Sequence, residues 1–169
     1  ILNSVTKTVT GNEPVTLTEV KTYLGIGSTV HDTLLGDLIE GARDAVEGYI
    51  KGALTEQTII AYYDSIGEST RLPITPVLEV TSVKDDDNND ITYRVSRGNN
   101  PLLKLSSLSS VAVEYKAGMA IVPQDLKLAI IKCIAEDFEF RTGIILNTSQ
   151  LLPNNWRAAA IKYRTTWLM

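Results

Sequence analysis

Cysteine and histidine are almost missing from this sequence: Cys133 and His31 are the only examples in 169 residues. One cysteine excludes an internal disulfide framework and makes an intracellular, reducing origin the natural expectation. No apolar run approaches the length of a membrane span, and no basic start precedes an apolar stretch as in a signal peptide, so the sequence reads as that of a non-membrane chain. An excess of base is also lacking. The net charge is −4 and the pI about 5.0, which gives no support for a protein that coats itself in phosphate backbone.

The last absence is local. All 20 acidic residues lie in positions 1 to 140, whereas positions 141 to 169 hold Arg141, Arg157, Lys162 and Arg164 and no acid. The body is therefore acidic and the tail basic, which suggests that the tail meets an acidic surface of a neighbour or a partner.

What is present suits one globular domain with a sizeable core, since 44% of the residues are hydrophobic. In "VTLTEVKTYLGI", Thr16 stands three residues before Glu19 in capping-box spacing, and Leu17, Val20 and Leu24 mark one face up to Gly25. From Thr33 to Lys51, apolar residues recur at three- and four-residue spacings from Leu34 to Ile50, predicting a long amphipathic helix with Gly52 as its C-terminal cap. The period then changes. "QTIIAYYDS", "VLEVTSV", "ITYRVSR", "LLKL" and "VAVEYKAG" read as short strands of one antiparallel sheet.

Helical spacing returns in "VPQDLKLAIIKCIAEDFEFRTG", with Leu126, Ala129, Ile130, Cys133, Ile134 and Phe138 inward and Gly143 as the stop. After the polar connector "LNTSQLLPNN", Trp156, Ala159, Ala160, Tyr163 and Trp167 share one helical face. The expected architecture is α+β with a mainly helical body, ordered helix, helix, antiparallel β meander, helix, plus a linker-tethered C-terminal helix. Residues 1–143 would be the body and 144–169 the linker and docking helix.

The chemistry-bearing candidates are few. Asp85, Asp86, Asp87 and Asp90 in "SVKDDDNNDITY" suggest a cation loop, but Asp90 stands where such a loop needs glycine and Ser96 where a bidentate Glu should close it. A hairpin tip projecting into solvent or toward a basic partner is the better account, because Asn and Asp tolerate left-handed turn geometry. His31 lies in a polar turn at a helix entry, Cys133 on the apolar side of a helix, and no serine sits in a nucleophile elbow. "GIGSTV" lacks the third glycine of a dinucleotide loop and is followed by no Lys-Ser/Thr. No cofactor, metal or catalytic set is expected. Two Trp and a Tyr on one terminal stripe must pack on the chain's own body or on another subunit, and the terminal position and opposite charge favour the latter.

Taken in order, "VTLTEVKTYLGI", "AVEGYIKGAL", "LPITPVLEVTSVK", "VEYKAGMAIVPQDLKLAII" and "FEFRTG" resemble the head-to-tail connector (adaptor) proteins of long-tailed bacteriophages and prophages, across about residues 14 to 143. The resemblance implies a virion component without catalytic activity. Such a protein assembles in the host bacterial cytoplasm as a ring, typically of twelve subunits, below the portal protein, and sits in the virion neck with a tail or stopper protein beneath it. DNA passes through its channel without specific binding. The two long helices would supply ring contacts, and Trp156, Arg157, Tyr163, Arg164 and Trp167 would form the portal or subunit interface. The chain could be monomeric in solution. Another neck component, such as a stopper or tail-completion protein, is the alternative, and a small enzyme the remaining one. "ILNSVTKTVTGNE" alternates like a strand that the family pattern does not need.

Overall fold

Strand alternation at the N-terminus is realised as β1, Leu2–Val9, which the expected helix-first order did not include. The structure, a computed structural model, describes residues 1–64, 69–98, 101–105, 110–139 and 155–164. The chain divides into two units, one made of residues 1–12 and 52–120, the other of 13–51 and 121–169.

The first unit is all β among its described residues. β2 (Gln57–Tyr63) and β7 (Val111–Ala117) alternate strictly inward and outward, burying Ile59, Ala61, Val113 and Tyr115. The period of two puts every second side chain on the core face. With β1 and β4 (Val77–Asp85) they form an antiparallel sheet in the order β1-β2-β7-β4. Short strands β3 (Ser69–Arg71), β5 (Tyr93–Val95) and β6 (Leu102–Leu105) make a second sheet, ordered β3-β6-β5. The single expected meander is therefore two sheets, with Leu72 and Leu103 joining Ile59, Val83 and Tyr115 in one core. The buried Tyr115 hydroxyl accepts a hydrogen bond from the Ile74 amide at 3.1 Å, which satisfies the polar end of a side chain otherwise held for its bulk. Gly118 stands at φ +153, and a Cβ there would meet the Thr55 carbonyl oxygen at 2.7 Å, so this turn requires glycine.

The second unit is helical. In α1 (Leu17–Leu24) the capping box forms as the spacing requires: the Glu19 amide donates to Thr16 Oγ1 at 3.2 Å, and the Thr16 amide donates to Glu19 Oε2 at 2.7 Å. These bonds to Thr16 hold the Glu19 carboxyl below its usual range. Gly25, at φ +69, ends the helix. α2 (Asp32–Ile50) buries Leu35, Ile39, Ala42, Val46 and Ile50, and the Leu, Ile and Val side chains each contribute about 1.5–3 kcal/mol on removal from water. Its cap is Lys51 at φ +56, one residue before the expected Gly52. α3 (Gln124–Glu139) packs on α2 and buries Leu126, Ala129, Ile130 and Ile134; α4 (Asn155–Ala160) packs against both, and the 3-10 turn Ile161–Tyr163 follows it. The expected stop at Gly143 and the boundary at 143/144 lie outside the described residues; α4, beyond that boundary, belongs to the same unit as α2 and α3. With two antiparallel sheets in one unit and the helices in the other, the fold is α+β, and the described residues do not make the expected mainly helical body.

Candidate assembly surfaces

The acidic stretch is a tight reversal at the end of β4. The Asn88 amide donates to the Asp85 carbonyl and the Asp85 amide to the Asn89 carbonyl, both at 3.0 Å, with Asn88 in the left-handed region at φ +64. Asp85 does the work of the turn: its carboxylate accepts from the Asn89 amide at 2.8 Å and from Asn89 Nδ2 at 3.2 Å, and these bonds lower its pKa. The returning chain bridges β4 at Asp90 and donates the Ile91 amide to the Val83 carbonyl at 2.8 Å. It then leaves, because "ITYRV" supplies β5 to the other sheet instead of pairing along β4. The reversal is thus a hairpin tip with one long arm.

The four aspartates have separate uses. Asp85 is spent on the turn, and Asp86 accepts from Ser110 Oγ at 2.9 Å. Asp86, Asp87 and Asp90 are exposed. Lys84 Nζ reaches Asn88 Oδ1 at 3.1 Å, and no ion pair reaches the four aspartates among the described residues. Among those residues no group of three or more His, Cys, Asp or Glu side chains has the geometry to hold a metal ion.

The tail helix buries its first aromatic residue in its own unit. Trp156 is 6% exposed, its ring edge-on to Tyr49 of α2 at 5.5 Å between centroids, and Ala160 is fully buried. Tyr163 donates its hydroxyl proton to Asp125 Oδ1 at 2.7 Å, and Lys162 forms an ion pair with the same carboxylate. Lys162 first, then Tyr163, holds the Asp125 carboxyl below its usual range. These contacts tie α4 to the start of α3. Terminal position and opposite charge favour another subunit as a partner of this stripe; within the chain, Trp156 packs on Tyr49, Ala160 is buried and Tyr163 bonds to Asp125. Trp167 lies outside the described residues.

The tail exposes Arg157, Lys162 and Arg164 along with Ala158 and Ile161. Arg157 sits over the rings of Trp156 and Tyr49 at 5.2 and 5.8 Å, and Arg164 sits over Tyr49 at 5.5 Å. Both arginines are exposed. Neither forms an ion pair with a carboxylate among the described residues. Tyr49 is the residue that sequence reasoning missed. It appeared only as one apolar position of α2, and no spacing signal links it to residues more than a hundred positions away.

Cys133, His31 and Arg43 are taken up by packing and pairing inside the helical unit. Burial pushes the Cys133 thiol up to about 11, reinforced by Asp137 and Glu136, which keeps it protonated. The His31 ring packs edge-on against Phe138 at 5.4 Å at the entry to α2. Buried Arg43 donates Nε to both oxygens of Glu13 at 3.1 and 2.9 Å and pairs with Asp44 at 3.0 Å, so its charge is compensated inside the helical unit. No helix among the described residues is long and apolar enough to cross a membrane.

The described residues form a two-unit α+β module whose exposed side chains carry charge of both signs. The chain belongs to the head completion protein family, whose model matches residues 13–136. The fold is similar to that of a chain in the neck of an empty GTA particle computed with C6 symmetry, with a TM-score of 0.78, 18% identity and 97% of each chain covered. It is likewise similar to a chain in the neck of a native GTA particle computed with C12 symmetry, with a TM-score of 0.76, 20% identity, and 100% of this chain and 97% of that one covered. A chain in the virion of a native gene transfer agent particle matches with a TM-score of 0.76 and 18% identity. At these identities the likeness shows the fold. No curated protein matches the sequence.

Proposed function

We infer that this chain is a neck component of a phage-like particle, a structural adaptor that forms a ring below the portal and joins the DNA-filled capsid to the tail. The observation that supports this reading is the conjunction of a family match over residues 13–136 with a fold shared, end to end, with chains of particle necks. The symmetry of those necks motivates a ring of identical subunits, twelve in the virion, assembled in the host cytoplasm. DNA would pass through the ring without specific binding. An acidic chain suits that conduit, since clustered Lys and Arg would add phosphate contacts and retain the cargo.

Residues 144–169 form the docking segment in this proposal. Trp156 and Tyr163 anchor it to the helical unit, while Arg157 and Arg164 face the portal or a neighbouring subunit. The test is to mix the purified chain with portal rings and follow particle mass by light scattering and mass photometry. A ring-sized increment on the portal is expected. A chain that stays monomeric at high concentration and does not bind the portal would overturn the reading.

A further inference from the structure

The chain carries two exposed surfaces of opposite sign, each uncompensated within the described residues. One is the arginine pair: the guanidinium groups of Arg157 and Arg164 lie 5.8 and 5.5 Å from the centroid of the Tyr49 ring. Tyr49 is half-buried and packed on the buried Trp156, so the platform under the arginines is part of a helical core. Stacking restrains a guanidinium over the ring and leaves N–H edges free for a carboxylate, at little further loss of side-chain freedom. Lys162, next to them, is already committed to Asp125. The other surface is the hairpin tip, where Asp87 and Asp90 are exposed on a turn fixed by Asp85 and Asn89.

We propose that the Arg157–Arg164 pair receives the acidic tip Asp86–Asp90 of a second copy of this chain, making the contact between neighbouring subunits heterologous and electrostatic. The proposal rests on the ring reading above and names the surfaces that would close the ring. The argument is one of complementarity. A two-fold contact through either surface would set like charges against like, which opposes association. Pairing the basic surface of one copy with the acidic surface of the next removes both repulsions and repeats without end until the ring closes. Phosphate is the competing ligand for an arginine pair. It is disfavoured here because the whole chain is net negative, whereas the acidic tip supplies carboxylates at the one-to-one stoichiometry that a ring demands.

Charge exchange between two variants tests this. Variant one carries Arg157→Glu and Arg164→Glu; variant two carries Asp87→Lys and Asp90→Lys. All the substituted side chains are exposed, and an unchanged thermal midpoint verifies folding. Self-association is measured by mass photometry, with and without portal rings. Each variant alone should associate at least about tenfold more weakly than the parent chain, and the parent contact should weaken as salt rises. Mixed in equal amounts, the two should recover association as alternating rings, because each interface then pairs an acidic tail with a basic tip or the reverse. Failure of the mixture to recover overturns the proposal. So does a variant one that self-associates normally but loses only portal binding or DNA retention, which would assign the arginines to the portal or to phosphate. If the parent chain itself neither associates nor binds the portal, the neck reading fails first, and the two failures remain distinguishable.

Discussion

The acidic tip and the tail helix both expose charge, but they hold it in different ways. At the tip, backbone hydrogen bonds and one side chain, Asp85, make the turn, and the other aspartates project from it. In the tail, the arginines ride on aromatic rings whose burial is part of the helical core. Charge at Asp87 and Asp90 can therefore be edited without touching stability, while editing the tail is safe only if Trp156 and Tyr49 are left alone.

The largest break in that comparison is Trp156→Ala, which should cost about 3–5 kcal/mol by leaving a cavity against Tyr49, read as a fall in the denaturant midpoint. No substitution at the tip should approach it. For the same reason, removing residues 147–169 would uncover α2 and α3, so a loss of assembly after that truncation would not by itself locate a docking surface. Point changes at Arg157 and Arg164 separate the two effects.

A smaller fall is expected for Tyr163→Phe, which removes the 2.7 Å bond to Asp125 but keeps the ring. It should loosen the tail more than the hairpin, seen as faster amide exchange in residues 156–163 with exchange at the tip unchanged. Faster exchange at the tip instead would contradict the separation.

Acid should act on both regions in the same direction. Asp85 and Asp125 have folded pKa values below their ordinary value of 3.8, so each favours the folded state fully above about pH 4 and loses that contribution as pH falls through its lowered value. Asp85→Asn and Asp125→Asn should each flatten the acid limb of the stability curve, and an unchanged limb in both would remove the assigned cause. The smallest effect belongs to Asp87→Asn with Asp90→Asn, where no measurable change in midpoint is expected. A clear loss of folding there would show that the tip is structural.

Local order was largely legible from residue types. Thr16 and Glu19 announced the start of α1, apolar spacing announced α2 and α3, and alternation announced β2 and β7. These depend on neighbours within a few positions, where side-chain periodicity and capping act. The cap of α2 was misplaced by one residue because Lys51 adopts the left-handed conformation that glycine usually supplies. The two sheets were not legible, since "ITYRV" has the composition of a strand whether it pairs with β4 or with β6. Where it pairs is settled by tertiary contacts: Ile91 and Asp90 hold the chain at β4 for one bridge, and Ile91 and Tyr93 then pack against the core.

By itself, the chain's composition determined an acidic body, a basic tail and a short supply of catalytic side chains, because those are counts. It also determined that Asp and Asn would make a turn, because that preference is local. Only the tertiary structure decided where the aromatic tail goes. Trp156 and Tyr49 are far apart in sequence, and neither carries a signal for the other. Burying one against the other removes apolar surface from water at the cost of ordering the segment that carries it, a balance struck only when the helices are in place. That packing makes Trp156 and Tyr49 a platform, over which Arg157 and Arg164 remain exposed.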